Sequence, residues 1–215
     1  MLGLIESSGI GVPVASKEAR PTQGLKNKCM KHNEQLMKVL REDENSEWLF
    51  SEAEADARLG RMSAPAVWDG KDDTCLFHPR FAASQTKPNG SIKLRAVDNF
   101  SWSPSDRGKE DSTNGFTVMQ EKMTHDTIDS LAEASSLFVE RVGAVPALLK
   151  ADIDSAYRRI PVKEMHRWAT GVAFMARGCA YKARHYACPF GAAASGVAWE
   201  RIGAAIAHIA TSSCT

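Results

Sequence analysis

Two hydrophobic periods take turns along this chain, one helical and one extended. Between Leu25 and Arg41 the apolar positions Leu36, Val39 and Leu40 share one side of a basic segment, which predicts a helix. Ser51-Glu52-Ala53-Glu54 has the residues of a capping box and predicts a second helix running to about Met62. Asn89-Gly90 tolerates positive φ and precedes the strand formers Ile92, Leu94 and Val97, so a β-hairpin is expected there. The Ser, Pro, Asp and Gly content from Ser101 to Phe116 marks a loop. Helical spacing returns from Asp126 to Val142, with Ile128, Leu131, Phe138 and Val142 in phase and Gly143 as the stop.

The run from Val145 to Ile153 reads as a strand, with Leu149, Ala151 and Ile153 on one face and Leu148, Lys150 and Asp152 on the other. A second hairpin is expected from Trp168 to Met175 and Ala180 to Ala187, joined through Ala176-Arg177-Gly178-Cys179. A last helix spaces Trp199, Ile202, Ile206 and Ile209 on one face. No internal repeat is present, and the mixture of elements predicts an α+β fold.

Composition changes this picture at two points. The formal net charge of +1 conceals segregation: Glu42 to Asp73 carries ten acids against Arg58, Arg61 and Lys71, whereas Leu76 to Val97 has four basic residues and no acid. Ser155 to Ala198 is basic as well, with Glu164 its only acid, so a polyanion could be held by local patches that the whole-chain charge hides. The five cysteines form no CxxC pair and no even disulfide framework, which suits a reducing intracellular compartment, nucleus or cytoplasm, and gives no sign of zinc. The first residues carry Glu6 and no basic leader, unlike a secretory signal. Glu200, Arg201 and His208 interrupt the alanine-rich end, so no membrane span is expected.

Three segments carry candidate chemistry, in one order. Lys87-Pro88-Asn89-Gly90-Ser91-Ile92-Lys93-Leu94-Arg95-Ala96-Val97-Asp98 is a basic hairpin. Leu148-Leu149-Lys150-Ala151-Asp152-Ile153-Asp154-Ser155-Ala156-Tyr157 places a carboxylate at the end of an apolar run and an aromatic ring five residues later. Cys188-Pro189-Phe190-Gly191 precedes a helix. Each segment alone is weakly specific, but the ordered set from about Phe77 to His208 resembles the reverse transcriptase (RNA-directed DNA polymerase) domain of a retroelement.

The resemblance implies a right-hand polymerase: fingers, an incomplete palm and an N-terminal helical extension. The expected divisions are a loose leader at 1–23, the helical extension at 24–62, fingers at 63–145, palm with the catalytic strand at 146–162, a fingers hairpin at 163–190 and a palm helix at 191–215. It implies that Asp152 is the first catalytic metal ligand and that the Ile153 carbonyl is its backbone companion in a two-Mg²⁺ site. Tyr157 takes the place of the ring under the incoming sugar, favouring deoxynucleotides, and Phe190 and Gly191 that of the pair on which nucleotide and template base rest. Lys93 and Arg95 are the candidates for the triphosphate. The family pattern puts the basic residue four before Asp98, where this chain has Leu94, so either neighbour could serve.

The family's remaining metal-binding carboxylates lie in an aromatic-x-Asp-Asp hairpin after the Pro-Phe-Gly helix, and no Asp or Glu follows Glu200. Nucleotidyl transfer by an incomplete fragment, acting on an RNA or DNA template-primer and deoxynucleotides, is therefore one expectation. The other is a non-catalytic nucleic-acid-binding relic of a retroelement.

Overall fold

The computed structural model describes residues 23–72, 74–104, 111–117, 126–148 and 152–212. Helix α1 spans Gln23–Val39 and α2 spans Ser46–Arg58. Strand β1 is Ala66–Val67, β2 is Phe77–Thr86 and β3 is Ile92–Asp98. A short α3 at Thr113–Phe116 and a longer α4 at Ile128–Val142 follow. Two 3₁₀ turns, Ala156–Arg159 and Glu164–Ala169, lead into β4 at Gly171–Ala176, β5 at Cys179–Arg184 and α5 at Ala193–Ser212.

The five strands form one mixed sheet in the order β1-β5-β4-β2-β3. All neighbours are antiparallel except β2 and β4, which run parallel where Phe77 to Pro79 face Gly171 to Ala173. From Phe81 onward β2 pairs only with β3, so the two strands continue as a ribbon that ends in the Asn89-Gly90 turn. This is the hairpin that Asn-Gly predicts, with Gly90 at φ +79°. The second expected hairpin is also present. Its turn residues Arg177 and Gly178 have φ of 52° and 71°, the two positive angles that match a two-residue turn to strand twist. A non-glycine there costs about 1 kcal/mol. Arg177 offsets this by forking onto Glu47 and lying 4.0 Å from the Phe50 ring.

Alternation along β4 explains the layers. Val172, Phe174 and Ala176 pack with Leu49, Phe50 and Ala53 of α2, while Ala173 packs with Leu36 and Leu40 of α1. The N-terminal helices thus cover opposite faces of the sheet, and the fold is α+β. Helix α2 begins before Ser51 because Asp43 and Ser46 exchange bonds: Ser46 Oγ accepts from the Asp43 amide at 2.9 Å, and Asp43 Oδ1 accepts from the Asn45 amide at 2.8 Å. The Ser51 hydroxyl instead donates to the Glu47 carbonyl inside the helix, so no capping box forms there.

Helix α4 has the expected left-handed stop at Gly143, φ 71°, and a capping box from Thr127 and Ser130. None of its residues is buried. Residues 145–148 and 152–153 belong to no strand, which departs from the expected catalytic strand at those positions; the intervening Leu149, Lys150 and Ala151 lie outside the described residues. The first turns of α5 close a satellite core in which Ala194 and Ala198 meet Ile160, Val162 and Cys188, with Tyr157, Trp199 and Ile202 at its rim. Farther along the same face, Ile206 and Ile209 are exposed.

Candidate functional site

Asp152 and Ile153 sit in an exposed irregular segment. Just after them the chain reverses through Ser155, whose φ of 54° is left-handed, into the turn Ala156–Arg159. Arg159 ties this reversal together, donating from Nε to the Asp154 carbonyl at 2.8 Å and from Nη2 to its carboxylate at 3.2 Å. Consecutive residues of the turn point to different surroundings. Tyr157 turns to the Phe190 ring, 5.2 Å between centroids, and to Trp199 at 6.5 Å. Arg158 enters the core.

The Pro-Phe-Gly turn reaches the same place from the other side. Gly191 has φ +92°, and a Cβ built on it would lie 2.1 Å from the Asp98 carbonyl oxygen. Backbone contact this close requires glycine. Asn114, which no sequence motif singles out, holds the turn. Its Nδ2 donates to the Gly191 carbonyl at 2.8 Å, and its Oδ1 accepts from the Ala193 amide at 2.8 Å as α5 begins. Ser195 Oγ donates to the Pro189 carbonyl at 2.7 Å. Tyr157, Phe190 and Gly191 are therefore brought together against the end of β3.

Lys93 and Arg95 are not part of this convergence. In the β2–β3 register Asp98 faces Arg80 and Leu94 faces Ser84, while Arg95 faces Ala83 and Lys93 faces Gln85. Strand alternation places Leu94 on the Asp98 face and both basic residues on the opposite, exposed face. Arg95 Nε donates to Gln85 Oε1 at 2.7 Å across the ribbon.

Beneath Gly191 lies a buried charge network that sequence reasoning missed. Arg80 Nη1 donates to both Asp98 oxygens, at 3.0 and 3.2 Å. His185 Nδ1 accepts from Arg158 Nη1 at 2.6 Å, which puts the ring proton on Nε2. That nitrogen is 3.0 Å from Asp98 Oδ2, near enough for a hydrogen bond but not aligned for one. Arg158 Nη2 also donates to Asp56 of α2 at 2.8 Å, and Arg80 and Arg61 approach the same carboxylate at 3.7 Å. Burial alone would raise the Asp98 carboxyl, but Arg80 and His185 override it and hold it well below the usual carboxylate range. Burial pulls His185 down to about 4 despite Asp98 beside it. The partners are separated by as many as 102 residues, so no local pattern announces them.

The described residues supply only part of the donor set of a two-metal centre. Among the described residues no three His, Cys, Asp or Glu side chains cluster to hold a metal ion. Of the two carboxylates beside the turn, Asp154 is held by Arg159 and Asp152 stands exposed. Magnesium needs more hard oxygen donors than this pair offers, so no reaction step is assigned to it here.

No family model and no curated protein matches this chain. Among the described residues no helix is long and apolar enough to cross a membrane.

Proposed function

We propose that this chain forms the fingers and part of the palm of a reverse-transcriptase-like RNA-directed DNA polymerase, a nucleotidyltransferase that binds template-primer and deoxynucleotides. The reading is supported by one observation above the others: Tyr157 meets Phe190, 33 positions further along the chain, beside the contact of Gly191 with Asp98, and these are positions that the resemblance implies. Tyr157 serves as the ring beneath the sugar, Phe190 and Gly191 as the nucleotide platform, and Asp152 with the Ile153 carbonyl as the first part of a Mg²⁺ site. Lys93 and Arg95 serve electrostatic attraction of a phosphate backbone from the outer face of the ribbon.

The donor set favours a second reading, a nucleic-acid-binding relic that performs no chemistry. Primer extension separates the two. Residues 1–215 should extend no primed RNA template in Mg²⁺, because a two-metal reaction needs carboxylates from two places. A chain continued through an aromatic-x-Asp-Asp hairpin and thumb should extend it. Asp152→Asn should abolish that extension, and Tyr157→Ala should admit ribonucleotides. Extension that survives Asp152→Asn overturns the polymerase reading; loss of nucleic-acid binding altogether overturns both.

A further inference from the structure

A broad-mouthed cavity of about 480 Å³ opens where the end of α2, the Ala156–Arg159 turn and the segment after β5 meet. Every charged residue on its wall is an arginine: Arg61, Arg158 and Arg159. The rest of the lining includes Leu59, Pro161 and Tyr186. Arg167 lies over the Tyr186 ring, 4.5 Å from its centroid, and adds a fourth cation behind that wall.

The charges behind the cavity do not cancel. Arg61, Arg80 and Arg158 converge on only two carboxylates, Asp56 and Asp98. His185 is neutral at ordinary pH and neither adds to nor offsets this excess. Asp56 gives its close contact, 2.8 Å, to Arg158, whereas Arg61 stands 3.7 Å away, beyond hydrogen-bond range. Arg61 is held in position through its backbone, whose carbonyl accepts from the Tyr186 and Ala187 amides at 2.7 and 3.0 Å. A guanidinium fixed at the wall of a cavity, with its fork not spent on a carboxylate, is matched to an oxyanion.

We propose that this cavity is a phosphate-binding site, taking the phosphate of a nucleotide-sized molecule or of a nucleic-acid backbone. Its size is in the range of small-molecule pockets, and its apolar wall has room for the organic part of such a ligand. The site is distinct from the Tyr157–Phe190 convergence and does not depend on the polymerase reading.

Titration calorimetry of the 215-residue protein with inorganic pyrophosphate tests this. Arg61→Gln should weaken pyrophosphate roughly tenfold or more, through loss of a charge-assisted fork, and Arg159→Gln, whose guanidinium is already shared with Asp154, should weaken it less. Arg61→Lys should fall between wild type and Arg61→Gln, since it keeps the charge and loses the fork. Arg177→Gln, an exposed arginine elsewhere, should leave affinity unchanged. Asp56 keeps Arg158 when Arg61 is replaced, and thermal melts of all variants check that the fold is intact. A single-stranded oligonucleotide supplies the second arm. Competition between it and pyrophosphate assigns the site to a backbone phosphate, and independent binding assigns it to a small phosphorylated molecule. No pyrophosphate binding at millimolar concentration, or equal binding by wild type and both glutamine variants, overturns the site.

Discussion

The α-carbon of Gly191 rests against the main-chain carbonyl of Asp98, so closely that a methyl group added to it would lie 2.1 Å from the oxygen. This contact joins the Pro-Phe-Gly turn to the end of β3 and sets how the turn sits over the buried charges. Neither partner can yield cheaply, because the neighbour is backbone and the glycine has φ +92°. Gly191→Ala should therefore cost about 3 kcal/mol or more, adding overpacking to left-handed strain. Gly178→Ala, at φ +71° in open space, should cost only about 1 kcal/mol. Urea unfolding of the two variants makes the comparison, and equal losses would show that the Asp98 contact does not constrain the turn.

Asp98 is the carboxylate on which Arg80 and His185 converge, and Arg158 lies one step behind through His185. Asp98→Asn keeps the shape and removes the charge, leaving buried guanidinium groups with Asp56 alone. The expected loss is about 3–5 kcal/mol, the usual result of stripping one partner from a buried pair. Asp152→Asn, at an exposed position, should change stability by no more than about 0.5 kcal/mol. A small effect at Asp98 would mean that the network relaxes or hydrates when broken.

What could be read from the sequence follows from how local each signal is. Both hairpins were legible because Asn89-Gly90 and Arg177-Gly178 carry their turn geometry in adjacent residues. The α4 stop was legible in Gly143 for the same reason. The start of α2 was misread because Ser51-Glu52-Ala53-Glu54 imitates a cap, while the bonds that set the start belong to Asp43 and Ser46. The apolar run before Asp152 suggested a strand, but neighbours across a ladder, not composition, make a strand, and the described ends of this run have none. The meeting of Tyr157 with Phe190 and of Gly191 with Asp98 depends on packing between distant segments, which no local pattern shows. Lys93 and Arg95, candidates for the triphosphate by resemblance, lie at odd offsets from Asp98, which places them on the opposite face of β3. Asp56 and Asn114 gave no signal at all, because their roles depend on partners far away in the chain.

Three buried histidines make the fold acid-sensitive. Burial lowers the pKa of His32, His78 and His185, the last from an ordinary 6.5 to about 4. Between those two values the unfolded chain binds a proton that the folded chain refuses, so stability is full above about pH 6.5 and declines as pH falls toward 4. For His185 the drop from 6.5 to about 4 corresponds to about 3 kcal/mol. The depressed Asp98 carboxyl extends the loss below this window, since its contribution is present above the unfolded carboxylate pKa of about 3.9 and is lost progressively as pH falls from there toward the lower folded value. Urea midpoints should hold level from pH 7.5 to about 6.5 and then fall steadily down to pH 4.5. A flat profile across that range would show that these imidazoles are solvated or already charged.

Lys93 and Arg95 point away from the buried network on a ribbon that, among the described residues, pairs with no third strand beyond Phe81. Both are exposed, so Lys93→Ala and Arg95→Ala should change stability little, by about 0.5 kcal/mol or less each. Their effect should instead be on polyanion binding. If both meet phosphates, the double variant should reduce the slope of log affinity against log salt by about 1.5 for a single strand, or nearly 2 for a duplex. Binding should weaken by a similar factor on every sequence, because phosphate contacts position a chain without reading bases. Arg95 also donates to Gln85. Gln85→Ala therefore serves as a control that disturbs the ribbon's cross-strand bond without removing charge, and it should leave the salt slope intact. A slope unchanged in the double variant, or lowered equally by Gln85→Ala, would take the outer face of the ribbon out of nucleic-acid binding.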